Sequence, residues 1–324
     1  MKAKTIEISR MQSQFRDKLL ALQQSKKLKN NEIAAITGRS ESTISELLNN
    51  KRSFADALIY SMLNKLNDYM QESALVTTLR QYTVMMSIAE RCKQASDMRL
   101  VVGNTGIGKT VVFRKFASEN QAVYYFKVDR QYTWHKFLMA ICRVMAIEVE
   151  GRRSSNNLLD AIVRKVEQTC GDKPMLIIDE AEILTRAVWK QLKNLYTATE
   201  GLLAICIVGI TSIKSTLARM AGLEVVRYNT SQQQTAYMEY FRPLRDENNI
   251  YTTLVRRLKL FHIATPTRDD IEEFCRTKGI TNPDVIAIAC ARWWNYEVAD
   301  TTIRALMAAG VNLAQITPEE FSLF

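Results

Sequence analysis

Two runs in this 324-residue sequence carry side chains suited to polyphosphate chemistry. The first is Gly103-Asn104-Thr105-Gly106-Ile107-Gly108-Lys109-Thr110, which fits G-x-x-x-x-G-K-[ST], the Walker A phosphate loop. Its glycines let backbone N–H groups turn inward around phosphate oxygens. Lys109 can then reach the β- and γ-phosphates, and the Thr110 hydroxyl can ligate Mg2+. The second run is Lys173-Pro174-Met175-Leu176-Ile177-Ile178-Asp179-Glu180-Ala181-Glu182, an apolar strand ending in carboxylates, the Walker B pattern. Asp179 is expected to hold Mg2+ through water. Glu180 is expected to orient the attacking water and take its proton. Together the two runs imply ATP and Mg2+ as cofactors and hydrolysis as the reaction.

Chemistry of this kind needs a particular scaffold. Met98 to Val102 reads as a short strand before the loop, and Val111 to Ser118 as a helix after it. Strand, glycine loop and helix is the context the motif requires, and the helix start adds a favourable field for an anion. The unbroken Met-Leu-Ile-Ile run suits a strand buried on both faces, whose carboxylates sit at the mouth of a parallel sheet. Residues 122–128 and 202–209 read as further strands; 134–146, 156–169 and 188–199 read as helices between them. This alternation predicts a parallel three-layer α/β sandwich. Helices return at 267–278, 283–294 and 301–314. The polar stretch 228–249 reads as an inserted loop or subunit contact.

Composition narrows the function classes. The sequence has a net charge of +10, which suits a polyanionic partner. Its six cysteines are scattered with no C-x-x-C pair, as in a reduced protein with free thiols. Only two histidines occur, which argues against a histidine-dependent triad or a histidine-rich metal centre. No run of about 18 apolar residues exists to cross a membrane, and no signal-peptide pattern opens the sequence. A cytoplasmic protein, in a bacterial or phage-infected cell, is expected.

Residues 1–70 hold 12 Lys/Arg against 7 Asp/Glu. A first helix is expected over 15–25, a short helix after Asn30-Asn31 that ends at Gly38, and another opened by Ser40. One more amphipathic helix follows over 54–69. Ile33, Ala34, Ile36, Ile44, Leu47 and Leu48 would form the core of a helix-turn-helix. Ser42, Thr43 and Ser45 would then face base edges or phosphates, with Lys51 and Arg52 near the backbone. The run from Ile33 to Lys51 resembles the helix-turn-helix of phage repressors. Its second helix is poor in arginine, which points away from strong base specificity.

A P-loop core followed by a small helical lid resembles the AAA+ ATPases. The resemblance implies four segments: a helix-turn-helix DNA-binding domain (1–70), a linker and leading helix (71–95), an AAA+ core (96–262) and a helical lid (263–324). In that family a polar residue after the 202–209 strand reaches the γ-phosphate. The usual Asn is missing here, and Thr211 or Ser212 stands in its place. Thr253 to Leu258 resembles the segment that supplies an arginine finger to a neighbouring subunit; Arg257 is favoured over Arg256. Arg304 matches the arginine that the lid turns toward the nucleotide. The domain order and motifs are similar to the Mu phage transposition protein B group, with the IstB and TnsC-like ATPases. That resemblance implies an oligomer, a helical filament or ring, formed with ATP on double-stranded DNA. It also implies little sequence preference and delivery of target DNA to a DDE transposase. The best candidates for phosphate-directed cations are Arg152 and Arg153, ahead of Lys190, Lys193 and Lys214. Two alternatives share the motifs: a helicase loader of the DnaC type, separable by preference for single strands, and a nucleotide-gated transcription regulator, separable by a single strong footprint.

Overall fold

The described β-strands join into one sheet whose register puts the phosphate loop at its centre. The computed structural model describes residues 29–56, 79–148, 154–228, 235–243 and 254–323, with 12–13, 15–17, 19–20, 23, 58–60 and 62–63. The chain divides into two units, Met1–Leu75 and Val76–Phe324.

In the first unit, α1 (Asn30–Thr37) and α2 (Glu41–Leu48) are joined by a tight turn. Gly38 takes the left-handed conformation there (φ 68°), and the Arg39 amide returns to the Ala34 carbonyl at 2.9 Å. A glycine ends a helix this way at little steric cost. Ser40 caps α2, its hydroxyl accepting from the Thr43 amide at 3.3 Å. Ile33, Ala34, Ile44 and Leu47 are buried together with Phe15, Leu19, Phe54, Ile59 and Met62. Gln12 pins the chain beyond α2: its amide donates to the Arg52 carbonyl and accepts from the Phe54 amide, each at 2.9 Å.

The second unit opens with α3 (Arg80–Ala95) and runs through β1 (Met98–Gly103), α4 (Lys109–Glu119), β2 (Val123–Lys127), α5 (Trp134–Val144) and α6 (Ser155–Gln168). It continues with β3 (Met175–Asp179), α7 (Arg186–Ala198), β4 (Ala204–Gly209), α8 (Ser212–Ala221), β5 (Leu223–Arg227), β6 (Ala236–Pro243) and β7 (Leu258–Ile263). The last helices are α9 (Arg268–Thr277), α10 (Pro283–Arg292), α11 (Tyr296–Ala308) and the short α12 (Pro318–Ser322). The seven-stranded sheet has the order β2-β3-β4-β1-β7-β6-β5. Every residue of β1, β3 and β4 is buried, as expected of central strands covered on both faces. Phe126, Tyr132, Phe137, Ile162, Trp189 and Leu192 fill one large core against them.

The expected α/β sheet is present, with an antiparallel addition at one edge. The sheet is mostly, not wholly, parallel: β6 pairs antiparallel with both β5 and β7. The stretch 228–249 is also more than a loop. Ala236 to Pro243 is a strand, placed by the register of Tyr237 against His262 and Val225 against Phe241. Residues 229–234 and 244–249 lie outside the described residues.

The added strand carries a buried polar cluster. The Lys214 ammonium lies 2.7 Å from Glu239 and donates to His262 Nδ1 at 2.8 Å; the Tyr237 hydroxyl lies 2.8 Å from the same nitrogen. The Arg227 guanidinium stacks on the Tyr237 ring at 3.6 Å. Burial first, then the Lys214 charge, holds the His262 pKa below its ordinary 6.5. A histidine kept neutral contributes stability above its unfolded pKa, and loses it as pH falls through that value toward the lower folded one. Stability to urea is therefore expected to fall on acidification below about pH 6.5, more steeply in the parent than in His262→Gln. Parallel slopes for the two proteins would contradict this.

Candidate nucleotide site

The loop after β1 is built for close approach. Gly106 and Gly108 both have positive φ, 74° and 87°. In this conformation a side chain is strained, and glycine is not. Ile107 is buried beneath the loop, whereas Asn104 and Thr105 are exposed. Gly108 stands at the start of α4, so the first amides of that helix open toward the loop. Lys109 is 9% exposed and donates to the carbonyls of Gly103 and Asn104 at 2.9 and 2.7 Å. Burial lowers its pKa, opposed by the charges of Asp179 and Glu182.

Asp179, at the end of β3, is 1% exposed and meets three donors. Its Oδ2 accepts from the Thr110 hydroxyl at 2.8 Å and the Tyr125 phenol at 2.6 Å; its Oδ1 accepts from the Glu180 amide at 2.8 Å. Thr110 and Asp179, read separately from the sequence, are thus in direct contact. Burial, then the Asp179 charge, raises the Tyr125 phenol above its ordinary value, so it stays a donor. Glu180 takes a left-handed conformation (φ 56°), and its carboxylate lies 2.9 Å from Lys127. Glu182 Oε2 accepts from the Ile210 amide at 3.3 Å and approaches Gly209, where a Cβ would collide with it. Thr211 and Ser212 follow Ile210 at the start of α8.

The donor set fits a hydrated Mg2+ that shares phosphate oxygens. Thr110 and Asp179 would hold it, as Mg2+ sites use one or two protein oxygens beside the substrate's own. No group of three His, Cys, Asp or Glu able to hold a metal occurs among the described residues.

The helical C-terminal part touches the loop at one point. The amides of Tyr296 and Glu297, the first residues of α11, both donate to the Gly106 carbonyl, at 3.1 and 3.2 Å. Asn295 caps that helix through the Val298 amide and reaches the Thr105 carbonyl at 3.4 Å. Behind the contact, Tyr296 donates to Gln81 at 2.6 Å and Gln81 donates to Asp270 at 2.9 Å, so α3, α9 and α11 share one buried polar chain.

Other expected residues lie elsewhere. Arg304 stands late in α11. It is about 12 Å along α11 from Tyr296 at 1.5 Å per residue, and it pairs with Asp300 at 2.6 Å. Arg257 precedes β7 at the end of the sheet opposite Gly103, about 20 Å away at 3.3 Å per residue. It donates to Thr197 at 3.1 Å, lies 3.9 Å from Glu200 and packs over Tyr196. Arg256 is exposed and forms no ion pair with a described residue. Arg152 and Arg153 fall outside the described residues, and Lys214 is committed to Glu239. On α2, Ser42 is exposed and Thr43 half-buried, and both hydroxyls lie 2.8 Å from the Ser40 hydroxyl. Ser45 is half-buried; Lys51 and Arg52 are exposed.

Residues 93–217 match the family model described as an AAA domain. No curated protein matches the sequence significantly. Among solved structures, the chain is similar to Cdc6p from Pyrobaculum aerophilum, at 16% identity over 69% of this chain and 58% of that one, with a TM-score of 0.44. It is also similar to the Aeropyrum pernix ORC2 protein in its ADPNP–ADP complexes (12% identity, 76% and 67% covered, TM-score 0.47). A third is the Thermotoga maritima RuvB Holliday junction branch migration motor (15%, 75% and 66%, 0.42). None of the three reaches a TM-score of 0.5, so none says what this chain does. The mostly parallel sheet, the loop and the AAA match together are those of a P-loop AAA+ core.

The Gly106 contact makes a prediction. An Ala Cβ at Gly106 would lie 2.7 Å from Asn295 and 2.8 Å from Glu297, whereas Gly310 has positive φ with nothing near. Gly310→Ala should cost only left-handed strain, about 1–2 kcal/mol. Gly106→Ala should cost measurably more in urea denaturation. Equal losses would mean that α11 does not pack on the loop.

Proposed function

We propose that this protein is an ATP hydrolase that binds double-stranded DNA when its phosphate loop holds ATP. The observation that carries the reading is the contact of the Thr110 hydroxyl with Asp179, beside Glu180 and above a glycine loop. The AAA match over 93–217 supports the same reading. Lys109 turns from the loop carbonyls to the β- and γ-phosphates. Glu180, released from Lys127, accepts the proton of the attacking water. Thr110 and Asp179 would hold Mg2+, which would supply charge neutralisation for the phosphates when bound. An arginine offered by a second protomer completes the charge stabilisation. Arg257 has that role in this reading, and exposed Arg256 beside it is the alternative.

The DNA contacts are assigned to the capped helix α2, through Ser42, Thr43 and Ser45, to Lys51 and Arg52 after it, and to Arg152 and Arg153. Cations aimed at phosphates bind duplexes with little regard to sequence, which suits the +10 charge of the chain. Assembly of protomers along the duplex, and delivery of that DNA to a DDE transposase, complete the proposal. They rest on the motif resemblance alone.

The experiment is anisotropy of a labelled duplex at fixed salt. With ATP and Mg2+, Lys109→Ala should weaken binding by about tenfold or more, because the triphosphate loses its principal cation. Glu180→Gln should bind as tightly as the parent and release slowly. If Lys109→Ala holds the duplex as well as the parent, nucleotide does not control DNA binding. A second measurement concerns the finger: Arg257→Ala should lower DNA-stimulated hydrolysis by about 10³-fold while nucleotide affinity holds. Loss in Arg256→Ala instead would move the role to its neighbour.

A further inference from the structure

We propose that Tyr125 is a positioning residue for the cation of the phosphate site, its phenol fixing the Asp179 carboxylate in the orientation that a metal-bound water needs. The inference rests on the reading of the loop as an Mg2+–ATP site, and nothing in the motifs themselves assigns a role to this tyrosine.

The geometry is specific. An ionised carboxylate has about four lone-pair sites. Thr110, Tyr125 and the Glu180 amide fill three of those on Asp179, which leaves one, held in a fixed direction. A hydroxyl that coordinates a cation through its lone pair still has its proton to give. Thr110 can therefore keep its bond to Asp179 with the metal present. The phenol does a different job. At 2.6 Å, from a neighbouring strand, it stops the carboxylate from rotating about its own side chain. Tyr125 stands opposite Ile177 in the β2–β3 pair, two residues before Asp179, so the strand register sets its reach.

The tyrosine is itself held. The Arg114 guanidinium lies over its ring at 5.7 Å. Arg114 follows Thr110 by one turn of α4, so both side chains project from one face of that helix. The chain Thr110, Asp179, Tyr125, Arg114 thus closes through α4, β3 and β2. A half-buried phenol usually finds a partner, and a backbone carbonyl would satisfy it. Here the partner is the acid on which the metal depends. Outer-shell donors of this kind typically govern metal affinity by 10- to 100-fold.

The test uses the full chain and a fluorescent ATP analogue, titrated with Mg2+. Tyr125→Phe keeps the ring and removes the donor. The free Mg2+ needed for half-maximal binding should rise about tenfold or more, while affinity for the analogue in EDTA stays at the parent value. Arg114→Met, which loosens the tyrosine without removing its hydroxyl, should shift the Mg2+ midpoint the same way by about threefold. It carries the test if the Phe variant does not fold. A Mg2+ midpoint unchanged in a folded Tyr125→Phe, or in Arg114→Met where the Phe variant does not fold, overturns the proposal and leaves the ATP site standing. A parent that fails to bind the analogue at any Mg2+ concentration overturns the site reading itself.

Discussion

The mouth of the sheet is organised around one buried carboxylate. Asp179 is almost fully withdrawn from water, and a charge so placed is tolerated only when donors surround it. The donors come from three places: Thr110 at the start of α4, Tyr125 on β2 and the Glu180 amide just past β3. Each pins a different element. The carboxylate thereby ties the phosphate loop, the edge strand β2 and the turn that carries the expected base into one geometry. The apolar run Met175 to Ile178 holds that charge at its station by anchoring β3 between β2 and β4.

A second constraint acts on the loop at Gly106. The Gly106 carbonyl accepts from the first two amides of α11, and that helix is tied through Tyr296, Gln81 and Asp270 to α3 and α9. A change in the loop is therefore felt by the helix at which the second unit begins. Lys127 adds a restraint of its own. Its ammonium sits on Glu180, half-exposed like its partner, so the pair is a modest interaction that a bound ligand can displace.

Linear motifs were legible where chemistry demands a fixed local order. The glycines and Lys109 lie within eight residues, and the acids follow one apolar run, so Thr110 and Asp179 could be assigned before their contact was seen. Tyr125 could not be. The run Val-Tyr-Tyr-Phe-Lys reads as a strand, yet which tyrosine meets an acid depends on β2 lying beside β3. The strand 236–243 hid for a different reason. Its two faces, Tyr237-Glu239-Phe241 and Met238-Tyr240-Arg242, each mix apolar and charged residues, so no alternation shows. Helix α11 begins at Tyr296, five residues before the sequence pattern does, its first two amides donating to the phosphate loop and Tyr296 and Ala299 buried. The Asn295 cap was the signal available. Arg304 was assigned by motif position, and its pairing with Asp300 depends on the helix that the pattern started too late.

The functional account stands on nucleotide occupancy governing assembly on DNA. The most direct measurement is sedimentation velocity of the parent protein with a labelled duplex, with and without a slowly hydrolysed ATP analogue and Mg2+. The account predicts a fast-sedimenting complex of several protomers per duplex only when the analogue is present. A duplex that sediments alone in both conditions, or identically loaded in both, would contradict it.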